Sequence, residues 1–175
     1  MRFVKRRSEK VGAPPGTLVH VGERRAESTR VRLTCYGPDR VEEVEGAEPS
    51  ECVVADEGVT WVSVTGLHDV EAVQEVGERF DLHPLVLEDI LDTGHRPKVD
   101  DLDHALFCVT RVFDGRDGEI VSQQVSLILR PPLLISFEEA PGPLFDRVRE
   151  RLRAGLGRMR GAGVTWNSFS GIVGH

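Results

Sequence analysis

The stretch that decides the fold is Gly58-Val59-Thr60-Trp61-Val62-Ser63-Val64-Thr65-Gly66-Leu67-His68, together with the segment from Asp69 to Phe80. Residues 58–64 are rich in β-branched side chains, carry one aromatic and no charge, and so have the composition of a buried strand. Gly66 interrupts the run. Val70, Val73, Val76, Gly77 and Phe80 then recur at three- and four-residue steps, which puts them on one helical face, while Glu71, Gln74, Glu75 and Glu78 point outward. A buried strand leading into an amphipathic helix opens an α/β unit.

On the N-terminal side, Arg30-Val31-Arg32-Leu33-Thr34-Cys35-Tyr36 alternates, stops at Gly37-Pro38-Asp39 and resumes through Val41 and Val44, which reads as strand, turn, strand. On the C-terminal side, Pro84 suits a first helical position, and Leu85, Val86, Leu87, Ile90 and Leu91 predict a short, heavily buried helix ending near Gly94. Two β-rich segments, 104–114 and 119–129, flank Asp114-Gly115-Arg116-Asp117-Gly118. That pentapeptide has hairpin-turn chemistry and lacks the ligand spacing and distal Glu of a calcium loop. Pro131-Pro132 ends the hairpin and residues 133–137 make one more strand. Behind Pro143, Leu144, Val148, Leu152 and Leu156 recur every four residues, so Arg147, Arg149, Arg151 and Arg153 are expected on the opposite, solvated face. The order predicts an α/β fold, a mixed sheet with helices packed on it.

The 175 residues carry a net charge of −7 and are 39 % hydrophobic, the make-up of one ordinary globular domain. No apolar run approaches the roughly 18 residues of a membrane-spanning helix. The longest candidate, 125–137, is broken by Arg130, Pro131 and Pro132. The N-terminus, MRFVKRRSEK, has a positive start without an apolar region or cleavage site behind it, so a cytosolic protein is expected. Cys35, Cys52 and Cys108 form no zinc-type spacing and are expected as reduced thiols. Residues 1–28 read as a mobile basic arm with a short strand at 17–21, and 161–175 as a frayed tail.

Charge is distributed unevenly. Between residues 41 and 103 there are 18 acidic and 3 basic residues. Such a segment repels phosphate backbones, which argues against a nucleic-acid partner, and it draws hydrated cations; equally, it serves as a solvated surface. The usual catalytic fingerprints are absent: no G-x-S-x-G, no phosphate-binding glycine loop, no H-E-x-x-H. His68 and His83 precede helices, where capping or packing accounts for them. The run Glu88-Asp89-Ile90-Leu91-Asp92-Thr93-Gly94-His95 places Glu88, Asp92 and His95 on one helical face with Asp89 at its border. Carboxylates are the donors that hard divalent cations take, but the same groups are explained as exposed charges, or as Asp89 and Asp92 paired with Arg96 and Lys98.

Several ordered stretches then stand together: 59–68, Val76-Gly77-Glu78-Arg79-Phe80, His83 through Leu91, Arg96-Pro97-Lys98-Val99, Gln124 through Leu129, Ser136-Phe137-Glu138 and Phe145 through Leu152. Over about residues 30–160 they resemble the cytosolic N-terminal domain of the CorA family of magnesium transporters. The resemblance implies an α/β/α sandwich over 29–160, with a mixed parallel and antiparallel sheet and helices on both faces. It further implies a homopentamer, attached to the cell membrane through a stalk helix and two spanning helices. In that family a regulatory divalent cation, Mg²⁺ or Co²⁺, binds between neighbouring N-terminal domains. Metal ligation is carried over to Asp89 and Glu88, on the matching helix.

Residues 161–175 are left without a counterpart, and the stalk, the pore and its Gly-Met-Asn motif do not occur in these 175 residues. An excised domain, a truncated product and a free-standing relative are therefore all open. The leading expectation is a cation-sensing regulatory domain of a magnesium transporter, not an enzyme. Alternatives are a free-standing soluble α/β metal- or small-molecule-binding domain, including an enzyme using the acidic face near Glu88 and Asp92, and an interaction module whose arginine-rich helix meets an acidic partner.

Overall fold

Seven strands form one sheet: β1 (Arg30–Tyr36), β2 (Val41–Glu45), β3 (Val59–Thr65), β4 (Lys98–Asp101), β5 (Leu106–Arg116), β6 (Glu119–Arg130) and β7 (Leu133–Glu138). Their spatial order is β2-β1-β3-β7-β6-β5-β4. The computed structural model describes residue 14, residues 17–116, residues 119–156 and residues 160–161. β3 and β7 pair in parallel, and the other neighbours are antiparallel. The parallel pair lies at the centre, and β7 is buried along its whole length. That is why both strands read as continuous apolar runs rather than alternating ones.

The pleat of β3 sorts its side chains into two cores. Val62 and Val64 face α1 (Val70–Arg79) and α2 (Pro84–Leu91), packing with Val73, Val76, Phe80, Leu87 and Ile90. Val59 and Trp61 face the opposite way, toward α3 (Pro143–Arg153), and pack with Phe145, Val148 and Leu152. Helices on both faces of a mixed sheet make the α/β/α sandwich that the resemblance implies. The Trp61 and Phe145 rings meet in a T-shaped arrangement, 5.4 Å between centroids, and the Trp61 indole N–H donates to Ser136 Oγ at 2.9 Å.

Three local expectations are corrected and one unassigned stretch takes on structure. First, α3 ends at Arg153, so Leu156 lies beyond it and is 59 % exposed. Its buried stripe is Phe145, Val148, Arg149 and Leu152, so Arg149 belongs to the core face and not to the solvated one. Second, the acidic stretch after Pro97 forms edge strand β4, because a strand end on β5 offers it backbone partners and its charges suit a sheet edge. Third, the strands of the hairpin extend to Arg116 and from Glu119, while the turn residues 117–118 lie outside the described residues. Fourth, residues 17–21 form no strand. Val21 makes one parallel bridge to Asp92, because the loop after α2, rather than a sheet edge, is what it meets.

The described part of the expected basic arm is anchored. Leu18 packs against the core that α1 and α2 share, and the Arg25 guanidinium donates to the Ser122 carbonyl and pairs with Glu139 at 3.3 Å. Residues 1–13 of that arm, and the expected tail from 162 onward, lie outside the described residues.

Candidate functional site

α2 starts where the sequence places it. His83 is its N-cap, with Nδ1 accepting from the Leu85 N–H at 3.2 Å, and Pro84 follows without an N–H to satisfy. Val86, Leu87, Ile90 and Leu91 turn inward, which leaves Glu88 and Asp89 on the flank, both half-buried. The helix closes at Asp92, whose side chain accepts from the Gly94 N–H at 3.1 Å. Its carbonyl end is tied to the sheet: Gln124 Nε2 donates to the carbonyls of Asp89 and Ile90, both at 3.3 Å, and Arg111 donates to the Thr93 carbonyl at 2.6 Å. A guanidinium at a helix C-terminus is favourably placed against the helix dipole.

These ties fix the backbone that carries Asp89. The Lys98 ammonium, on the first residue of β4, lies 2.7 Å from Asp89 Oδ2 and 2.6 Å from Asp100 Oδ2. His95 Nε2 lies 2.9 Å from Asp89 Oδ1. Nζ of Lys98 also stands 5.3 Å from the centroid of the Phe107 ring. Partial burial alone pulls the Lys98 pKa down, but hydrogen bonds to Asp100 and Asp89 outweigh it and hold the group above its ordinary value, so it is cationic at neutral pH. Of the pairings expected from sequence, the structure makes the one between Asp89 and Lys98.

Glu88, Asp92 and His95 do not converge. Asp92 is consumed in closing the helix, and His95 turns to Asp89 instead. Among the described residues, no group of three or more His, Cys, Asp or Glu side chains could hold a metal ion. The donor chemistry of Asp89 and Glu88 suits a hard divalent cation, but the described residues of one chain supply too few such ligands to complete a shell.

A second polar cluster, across the sheet, was missed in the sequence. Arg149 is 4 % exposed; its guanidinium lies 4.7 Å from the Trp61 ring and donates to Ser63 Oγ at 2.8 Å. Glu138 is 3 % exposed and accepts from Thr65 Oγ1 at 2.6 Å, while its Oε2 has no protein partner among the described residues. The two line a cavity of about 80 Å³ with Arg32, Glu45 and Thr65. Burial pushes the Glu138 carboxyl up to about 7, against the opposing pull of the Thr65 hydrogen bond and of Arg149. The signal was present: Arg149 lies four residues after Phe145, on the buried stripe rather than beside it.

The model of a family described as CorA-like Mg²⁺ transporter protein matches residues 56–175, and so runs through residues 161–175, for which the motifs had shown no counterpart. The chain belongs to the CorA family. It is 40 % identical over 160 residues to the cobalt/magnesium transport protein CorA of Thermotoga maritima, which covers 89 % of this chain and 45 % of that relative. The chain thus spans less than half of that relative's length. The CorA magnesium transporter of Methanocaldococcus jannaschii shares its fold with a TM-score of 0.64 at 10 % identity, over 82 % of this chain and 43 % of that one. The full-length CmaX protein gives 0.63 at 18 % identity, over 86 % and 45 %. The soluble domain of the M. jannaschii CorA gives 0.57 at 10 % identity, over 74 % and 50 %. At those identities the structural likeness is one of fold. No helix among the described residues of this CorA-family chain is long and apolar enough to cross a membrane.

Proposed function

We propose that this CorA-family chain is the cation-sensing regulatory part of a magnesium or cobalt transporter, acting on the cytoplasmic side of the membrane. Copies of the chain associate, in the manner of the homopentamer that the family implies, and Asp89 with Glu88 presents carboxylates to a divalent cation shared with a neighbour. Bringing carboxylates together across an interface costs repulsion, which a bound Mg²⁺ or Co²⁺ removes, so association becomes linked to the free cation. Transport is a property of the whole length of such a protein, of which these residues correspond to less than half. The relatives are transport proteins, and the role proposed here is one of binding, without catalysis.

The observation that best supports this reading is the setting of Asp89. Its carboxylate is half-buried, fixed on a helix tied down by Gln124 and Arg111, and already engaged with the Lys98 ammonium. A thermal melt against Mg²⁺ or Co²⁺ tests it. At a cation concentration about tenfold above Kd, linkage adds roughly 1.4 kcal/mol. For a chain of this size that raises Tm by about 3–6 °C. Asp89→Asn is expected to abolish the rise. A melt that ignores both cations in the wild-type chain contradicts the reading.

A further inference from the structure

We propose that Lys98 is a tethered competitor at this site: its ammonium occupies the Asp89 carboxylate in the cation-free chain, and a divalent cation gains Asp89 by displacing it. The inference rests on the cation-sensing reading of Asp89.

The geometry is that of an occupied subsite. Lys98 Nζ bridges Asp89 Oδ2 and Asp100 Oδ2, at 2.7 and 2.6 Å, and is backed by the Phe107 ring at 5.3 Å. An ammonium has three donors, and two of them are committed to these carboxylates. Oδ1 of the same carboxylate faces His95 Nε2 at 2.9 Å, so both oxygens of Asp89 are engaged, and two cations side by side on one carboxylate repel. Lys98 and a divalent cation therefore compete for Asp89. Asp100 supplies the place to go. An ammonium displaced from Asp89 keeps its bond to Asp100, stays within reach, and returns as the cation leaves.

Lys98 thus sets the concentration at which the site responds. Its side chain is 30 % exposed and that of Asp89 24 %, so solvent screens the pair and the displacement costs little. An ion pair of this kind shifts an affinity by about two- to fivefold. A plain structural staple between α2 and β4 predicts the opposite sign, since removing a staple loosens Asp89 and weakens binding, whereas removing a competitor strengthens it.

The test is a Co²⁺ titration of the 175-residue chain followed by thermal melting, read as the cation concentration at half the full shift. Lys98→Met deletes the charge and keeps an aliphatic stem over Phe107; it is expected to lower that midpoint about two- to fivefold. Lys98→Gln carries the same test should the methionine variant fail to fold. Lys98→Arg, which retains a competing cation, is expected to keep a midpoint at or above that of the wild type. An unchanged or raised midpoint in the neutral variants overturns the proposal. If the wild type still responds and Asp89→Asn does not, the sensing reading then stands without it. A wild-type chain indifferent to Co²⁺ overturns both.

Discussion

Arg149 and Glu138 show how a single residue's environment escapes a reading of residue types. Both are charged in sequence and both are buried, because α3 lays Arg149 against Trp61 and the pleat of β7 turns Glu138 to the same side as Thr65. Burial raises the Glu138 carboxyl to about 7 in the folded chain, from 4.5 as its ordinary value. The folded state therefore binds this proton more tightly than the unfolded state. The contribution is fully present below about pH 4.5 and is lost as pH rises to 7, with a full extent of roughly 3 kcal/mol. Glu138→Gln, which keeps the shape of the protonated acid, is expected to leave stability at pH 5 nearly unchanged and to raise it at pH 8. Urea denaturation at the two pH values checks this, and equal effects at both would contradict it. Asp89 was singled out in the sequence by its place in an ordered family motif. Its two partners were less plainly marked: Lys98 was foreseen as one of two basic candidates, and His95 was expected on a face it does not share.

At the scale of elements, the sequence resolved what periodicity governs and missed what neighbours govern. β1, β3, β7, α1 and α2 stand where their apolar patterns put them, because each buries a face wide enough to dominate its local preference. β4 has the sequence Lys-Val-Asp-Asp and no such face; it is a strand because β5 offers it a hydrogen-bonding edge. The face of α3 was read too narrowly: Val148 and Leu152 are buried as expected, but Phe145 and Arg149 share their side. Leu144 and Phe145 are adjacent apolar residues, and starting from the first moved Arg149 off the buried stripe. Gly77 in α1 belongs to this scale too. A glycine costs a helix about 1 kcal/mol relative to alanine. Here, however, an added Cβ would lie 2.4 Å from Leu87 Cδ1 of α2, and Leu87 is buried with little room to move. Gly77→Ala is therefore expected to destabilise the chain by about 1 kcal/mol net, overpacking outweighing propensity. A denaturation midpoint that rises in this variant would show that α1 and α2 can separate freely.

For the whole molecule, the acidic band foreseen between residues 41 and 103 gains a specific member in Asp89, and the described chain alone gathers no complete set of metal ligands. Those two facts fit together if the site is finished by a second copy, and a single sequence carries no direct record of such an interface. The family was legible because its motifs are local and ordered; the proposed interface is not, because it would depend on surfaces that meet only on association. The most direct measurement of the central claim is sedimentation velocity of the wild-type chain and of Asp89→Asn, with and without millimolar Mg²⁺. The account predicts that Mg²⁺ shifts the wild-type chain to a larger species and leaves Asp89→Asn unmoved. Identical sedimentation of the wild-type chain with and without Mg²⁺, across a range of protein concentrations, would contradict it.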